Sequence, residues 1–364
     1  MVHFDIVMNE NDVVLFQNRI LDWYQLHARD LPWRHTKDPY QIWISEIMLQ
    51  QTRVESVIPY YKRWMDSYRS VEELALAEED HLLSKWEGLG YYARVQNIHK
   101  TAKIIAEKYL GKFPQNLEEV QSLPGIGRYT AGAILSIAFN KKAPILDGNI
   151  RRVFTRYFNI DTPIHTKQTE TILWQLSEDL IPKTNPGDFN QALMELGALV
   201  CRPKNPLCDL CPLQPSCISN QLNIQSDRPV RKPKSTIPHL QVAAGIVLDN
   251  SQVLLAKRPH GGLLGGLWEY PGGTQESGET LVETLSREFM EELTIKIEVG
   301  NYIGTFHHAY THYKVTLHAY FCKFLSQNIQ LNFHTDVAWV SLKSLGNYPM
   351  GKLDRLISNQ LQTQ

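Results

Sequence analysis

The 364-residue sequence carries almost no net charge: 37 basic against 38 acidic side chains leave a formal charge of -1. Attraction of nucleic acid by bulk charge is thereby excluded, so any such partner must be held by locally placed donors. No apolar run approaches the roughly 20 residues needed to cross a bilayer, which excludes a membrane-spanning helix and predicts a soluble chain. No internal repeat is visible, so solenoid architectures are excluded as well. The N-terminus carries Asp5, Glu10 and Asp12 and no long apolar stretch. That is unlike a secretory signal, and without a targeting extension the expected location is the bacterial cytoplasm. Cysteine is scarce, with five residues in all, yet Cys201, Cys208, Cys211 and Cys217 fall within one short segment.

Those four cysteines have the spacing C-x6-C-x2-C-x5-C, with Pro203, Pro206, Pro212 and Pro215 among them. A segment so rich in proline forms neither a helix nor a central strand, and it is too small and polar to bury a core of its own. A metal centre would hold it together, and four thiolates suit zinc or an iron-sulfur cluster; spacing alone does not choose between the two. Two disulfides would need an oxidising compartment, for which nothing else in the sequence argues.

The length suits two or three domains, and a 43% hydrophobic content is that of an ordinary globular protein. Amphipathic helical periodicity fills residues 1–220, strand-like alternation fills 241–364, and the polar, proline-rich stretch between them reads as a linker over 221–240. RPVRKPK at 228–234 is the one concentration of positive charge.

Asp38-Pro39 is a helix start, an N-cap followed by proline at the first helical position. The helix predicted to follow, YQIWISEIMLQQTRVESVI, is apolar around most of its circumference and has a single acid in its first half, Glu46. Ile42, Glu46, Leu49 and Arg53 would share a face. A carboxyl group in such surroundings has a raised pKa and can donate a proton near neutrality, unless it pairs with Arg53 or another base. In LPGIGRYTAGAIL, Pro124 to Gly127 should break one helix and start another near Arg128. The N-H groups around Gly125 and Gly127 could then face a phosphate. In APILDGNIRRVFTRYF, Asp147 either caps the helix that follows or serves a site.

Taken together, these segments resemble the endonuclease III superfamily of base-excision DNA glycosylases over residues 10–220, with LPGIGRYTA as its helix-hairpin-helix. WYQLHARDLPWR and SEIMLQQT are similar to its adenine glycosylase branch, the MutY type. The resemblance implies an all-α domain whose cysteine loop holds a 4Fe-4S cluster, with Glu46 protonating adenine in a flipped-out nucleotide. Asp147 would stabilise the oxocarbenium-like sugar, supported by Tyr129 and Asn149. Trp33, Arg34 and Gln191 would line the adenine pocket, while Gln51, Thr52, Leu89 and Tyr91 would contact the duplex or an opposing 8-oxoguanine. Tyr129 stands where the bifunctional relatives have lysine, so no Schiff base can form and strand cleavage should be absent. The implied partner is double-stranded DNA containing adenine opposite 8-oxoguanine, met by a monomer. A thymine or uracil mismatch glycosylase, an iron-sulfur DNA-binding protein without catalysis and a nucleotide hydrolase are the alternatives.

The C-terminal α+β part opens with a hairpin around Asp249-Asn250, then runs Gly273-x5-Glu279-x7-Arg287-Glu288-Phe289-x-Glu291-Glu292. This resembles the Nudix box, with Thr294 where glycine is usual. Glu288, Glu291 and Glu292 would share a helix face as a magnesium site or as a solvated acidic surface. In the adenine glycosylase branch a Nudix-like domain reads 8-oxoguanine with a Phe-Ser-His loop. Phe306 and His308 match it, and His307 replaces the serine. The box is well enough preserved to leave pyrophosphatase activity open. Cys322, in an alternating strand, is expected in the core.

Overall fold

The computed structural model describes residues 8–231, 237–310, 312–325 and 328–363. Lys232, Pro233 and Lys234 of the basic run, like Asp5, lie outside the described residues. Among the described residues every regular element up to Gln221 is helical, and all seven strands follow His239. The chain packs as two compact units, Met1–Ala75 with Lys100–Lys234, and Leu76–His99 with Ser235–Gln364.

In the first unit the start of the Pro39–Leu49 helix is as expected, with Asp38 Oδ1 accepting the Tyr40 N-H at 2.9 Å. Its end is not. The helix stops at Leu49, Gln51 turns with φ 63°, and a second helix, Val54–Ser67, begins after Arg53. Eight of the eleven residues of Pro39–Leu49 are buried, so continuing straight would carry Gln50, Gln51, Thr52 and Arg53 into the same apolar surroundings at the cost of desolvating them. The turn releases them, and Arg53 leaves the Glu46 face for the surface.

Asn116 caps the Leu117–Gln121 helix, Gly125 turns with φ 76°, and Gly127 caps the Arg128–Phe139 helix. Thr101 Oγ1 ties the turn down through Pro124 O at 2.8 Å. Gly132 lets the next segment cross this helix closely: a Cβ there would lie 2.3 Å from Pro144 O. This approach brings the start of the Gly148–Tyr157 helix, capped by Asp147, towards Tyr129. The core beneath is built from Phe16, Ile20, Phe154, Phe189, Leu193 and Leu196.

In the second unit the strands are β1 (His239–Asp249), β2 (Gln252–Lys257), β3 (Trp268–Glu269), β4 (Gly272–Thr274), β5 (Ile297–Ala309), β6 (Lys314–Phe324) and β7 (Asp336–Ser341). They pair in the order β3-β2-β1-β6-β5, with β4 also on β1 and β7 on β2. β1 lies parallel to β6, and the β1–β2 hairpin turns at Asn250 and Ser251, both with positive φ. Alternation gives the sheet two apolar faces. One takes Leu285, Phe289 and Leu293 of the Leu281–Leu293 helix and holds Cys322 in the core, as expected. The other takes Leu353, Ile357 and Leu361 of the Lys352–Thr363 helix.

Candidate active site

A cavity of about 760 Å³ in the first unit is lined by ten of the residues singled out from sequence: Trp33, Arg34, Glu46, Gln51, Thr52, Gly127, Tyr129, Asp147, Asn149 and Gln191. Helical periodicity explains much of the convergence. Ile42, Ser45, Glu46 and Leu49 come from one stripe of the Pro39–Leu49 helix, and Gln191, Met194, Glu195 and Ala198 from one stripe of the Pro186–Leu199 helix.

Glu46 is 4% exposed. Burial, with Asp147 nearby, raises its carboxyl to about 7 even though the Tyr129 hydroxyl donates to Oε2 at 2.6 Å. At neutral pH a substantial fraction of this carboxyl therefore keeps its proton. Asp147 caps the helix that follows and also lines the cavity. Its Oδ1 caps the following helix through the Ile150 N-H at 2.7 Å, while Oδ2 accepts the Asn149 amide at 2.8 Å on the cavity side. Burial raises its pKa, and the hydrogen bonds from Ile150 and Asn149 oppose the rise.

Behind Asn149 lies Arg152, 5% exposed, which donates to Asn149 Oδ1 at 2.8 Å, Gly197 O at 2.7 Å and Cys201 O at 2.6 Å. Arg156, one turn on, donates to Arg202 O at 2.7 Å and to Cys201 Sγ at 3.4 Å. The four cysteines, none in a disulfide, line a separate cavity of about 30 Å³. Burial pushes the Cys211 thiol up to about 12, with Cys201, Cys217 and Cys208 adding to the effect, and raises Cys208 and Cys217 too. Bringing Cys208, Cys211 and Cys217 to their thiolate forms together calls for a nearby cation. Among the described residues no three His, Cys, Asp or Glu side chains converge closely enough to hold a metal ion as they stand.

Sequence reasoning passed over Glu195 and Arg29. Glu195, 1% exposed, accepts from Arg29 Nε at 2.8 Å and Nη2 at 2.7 Å, and from Arg34 Nη1 at 3.1 Å and Nη2 at 2.9 Å. Burial alone would raise its pKa, but the hydrogen bonds from both guanidiniums outweigh it and hold the carboxyl at about 2. Arg34 thus lines the cavity with its charge already committed. The signal was present in FNQALMELGAL, an acid within an apolar stretch of helix, as with Glu46.

The remaining singled-out residues lie elsewhere. Gly125 is exposed in the hairpin turn. Leu89 and Tyr91 belong to the second unit, Leu89 buried and Tyr91 46% exposed with φ 50°. Phe306 to His308 form no loop but pair within β5, opposite Leu317, Thr316 and Val315 of β6. Strand alternation places Phe306 and His308 on one face and His307 on the other, where its Nδ1 lies 3.0 Å from Thr316 Oγ1.

Residues 44–179 match the HhH-GPD superfamily of base excision DNA repair proteins, and residues 242–360 match the NUDIX domain. An adenine DNA glycosylase of Buchnera aphidicola (from Schizaphis graminum) is 38% identical, over 84% of this chain and 86% of its own length. The chain belongs to the adenine DNA glycosylase family. It is accordingly a hydrolase of N-glycosyl bonds acting in base excision repair. The mouse adenine DNA glycosylase is 35% identical over 85% of this chain and 70% of its own. Among solved structures, a thermostable thymine-DNA glycosylase aligns with TM-score 0.53 and 31% identity over 58% of this chain and 97% of its own. Endonuclease III, in a trapped covalent DNA complex, aligns with TM-score 0.51 over 60% of this chain and 100% of its own; at 21% identity it shares the fold alone. No helix among the described residues is long and apolar enough to cross a membrane.

Proposed function

We propose that this glycosylase excises adenine standing opposite 8-oxoguanine in duplex DNA and leaves an abasic site without cutting the strand. The observation that carries the reading is Glu46, protonated near neutrality and held by Tyr129, in one cavity with Asp147. The target bond lies inside a duplex, so the nucleotide must be flipped into the cavity. Glu46 gives its proton to adenine N7. The C1′–N9 bond then breaks with its electron pair going to the base, which leaves as neutral adenine. Asp147, oriented by Asn149, stabilises the oxocarbenium-like sugar, and water adds at C1′ and gives up a proton that restores the Glu46 carboxyl. Trp33, Arg34 and Gln191 shape the adenine subsite. Among the described residues no lysine lines the cavity, which agrees with hydrolysis and not with Schiff-base lyase chemistry.

Beyond the adenine subsite, Gly125 and Gly127 approach the DNA backbone. Gln51, Thr52, Leu89 and Tyr91 meet the duplex, and Phe306 and His308 face the lesion. Cys201, Cys208, Cys211 and Cys217 are proposed to hold a 4Fe-4S cluster, whose bonds to four thiolates would fasten the loop and its Arg202 and Lys204 beside the DNA. We take the enzyme to act as a monomer in the bacterial cytoplasm.

The test is a duplex with a single adenine opposite 8-oxoguanine, treated with alkali after reaction. Strand breakage only after alkali is expected. An intact strand after alkali would sink the substrate assignment, and breakage before alkali would sink the monofunctional one.

A further inference from the structure

The turn from Glu87 to Tyr92 has unusual backbone. Gly88, Gly90 and Tyr91 have φ 99°, 71° and 50°, and a tyrosine adopts the left-handed region only when its surroundings impose it. Part of that constraint is internal. Trp86 Nε1 donates to Gly90 O at 3.1 Å, and Arg94 Nη2 donates to Leu89 O at 3.1 Å and Gly90 O at 3.0 Å. A further part comes from the C-terminal end of the chain, within the same compact unit. Arg355 forks Glu87, with Nε donating to Oε1 at 2.6 Å and Nη2 to Oε2 at 2.9 Å. Glu87 Oε2 also takes the Met350 N-H at 3.1 Å, and the Tyr92 hydroxyl reaches Met350 O at 3.5 Å. One residue, Met350, is thus gripped through its N-H and its C=O by the two ends of the turn.

Arg355 is itself immobilised, donating to Leu345 O at 2.8 Å and Tyr348 O at 2.6 Å. A planar guanidinium fixed on one side and forked on the other transmits position in a way a lone surface ion pair does not. The fork is not a buried core feature: its two side chains are 19% and 22% exposed, so either partner can be resolvated when the other is removed. Its position at the neck of a turn with three left-handed residues, and the exposure of Tyr91 at the tip, give it a more specific purpose than stability.

We propose that Arg355 is a positioning residue for Tyr91: by forking Glu87 it fixes the turn in the conformation that presents the tyrosine to the duplex. This rests on the duplex-contacting reading of Tyr91 given above. Under it, the C-terminal part of the chain acts on the DNA twice, through its own lesion-facing sheet and through the tip it holds in place.

A double-mutant cycle on the full chain tests this. Dissociation constants for a duplex with adenine opposite 8-oxoguanine are measured for Arg355→Met, Tyr91→Ala and the pair, alongside single-turnover rates at saturating enzyme and melting temperatures. Arg355→Met is expected to weaken binding about tenfold with an unchanged saturated rate, and the pair should bind no worse than Tyr91→Ala alone. If Arg355→Met binds like the parent while Tyr91→Ala loses affinity, or if the two losses multiply, the proposal is overturned. If Tyr91→Ala itself binds normally, the duplex-contacting reading falls and the proposal with it. Should Arg355→Met melt far below the parent, Glu87→Gln, which weakens the fork from the turn's side, is judged by the same criteria.

Discussion

The hydroxyl of Tyr129 donates to Glu46 Oε2 at 2.6 Å, joining two side chains 83 positions apart at the floor of the cavity. A hydrogen bond to the ionised form of a carboxyl stabilises that form. Tyr129 therefore works against burial and keeps the Glu46 proton transferable at about pH 7.

The pH dependence of excision follows. Single-turnover rates should fall about tenfold per pH unit above about 7, where Glu46 loses its proton. Tyr129→Phe should move this limb to higher pH, because the bond favouring the carboxylate is gone. Glu46→Gln should lower the rate by about 10²–10⁴ below about pH 7, with the deficit narrowing above it as the parent loses its own proton. A Tyr129→Phe limb displaced to lower pH would contradict the assignment.

The same raised pKa makes a stability prediction. An acid at about 7 in the fold, against 4.5 as its ordinary value, is most favourable to the folded state below about pH 4.5, and its contribution is lost as pH rises through 7. Glu46→Gln carries no charge at this position, so its melting temperature should gain on the parent's between about pH 5 and pH 8. Parallel melting curves over that range would refute the buried, protonated glutamate.

Sequence patterns revealed what depends on local chemistry. Glu46 stood out as one acid on an apolar helix, and the turn at Gly125 was readable from Pro124-Gly125-Ile126-Gly127. The break at Gln51 was not readable, because no proline or glycine marks it; the helix stops where its next polar side chains would have been buried. Glu195 carried the same local signal as Glu46, but its partners Arg29 and Arg34 lie 166 and 161 positions away. Nothing in its neighbourhood distinguished a structural anion from a catalytic acid. Leu76–His99 has helical patterning like its neighbours, and its packing with the C-terminal part of its unit includes Glu87 meeting Arg355 and Asp80 meeting Lys257, pairings no periodicity reports.

Glu195→Gln should be costly. It leaves the Arg29 and Arg34 guanidiniums beside a neutral amide in a poorly solvated place, and breaking a buried ion pair typically costs about 3–5 kcal/mol. The parent's dependence on this group appears in acid. With the folded carboxyl at about 2 and 4.5 as its ordinary value, its stabilisation is complete above about pH 4.5 and drains away as pH falls towards 2. Melting curves of parent and variant should therefore converge on acidification through that window, and a constant gap would argue against the clamp.

Gly197→Ala should act on the chemistry from outside the cavity. The new Cβ would lie 2.5 Å from Asn149 Cβ and 3.1 Å from its Cα. Asn149 must then shift, carrying its amide away from Asp147 Oδ2. Overpacking of this kind costs about 1–3 kcal/mol in stability, and single-turnover excision should fall while duplex binding is retained. Unchanged excision in a folded variant would show that Asn149 does not orient Asp147.

The acids of the C-terminal domain are already spoken for. Arg287 donates to Glu279 Oε1 at 2.6 Å and lies 3.0 Å from Glu288 and 3.2 Å from Glu291, so one guanidinium pairs with two of the three acids of the candidate magnesium site as well as with Glu279. Glu292 is turned inward. Burial, with Glu269 and Glu288 close by, raises its pKa to about 8, and its Oε2 lies 3.9 Å from Nδ1 of the buried His334. A carboxyl that holds its proton at pH 7 is a poor ligand for a hard cation. Full-length protein incubated with magnesium and 8-oxo-dGTP should accordingly release no pyrophosphate. Steady release that disappears in Glu292→Gln would mean that magnesium can pull Glu292 out of this arrangement, and that the domain hydrolyses nucleotides as well as meeting DNA.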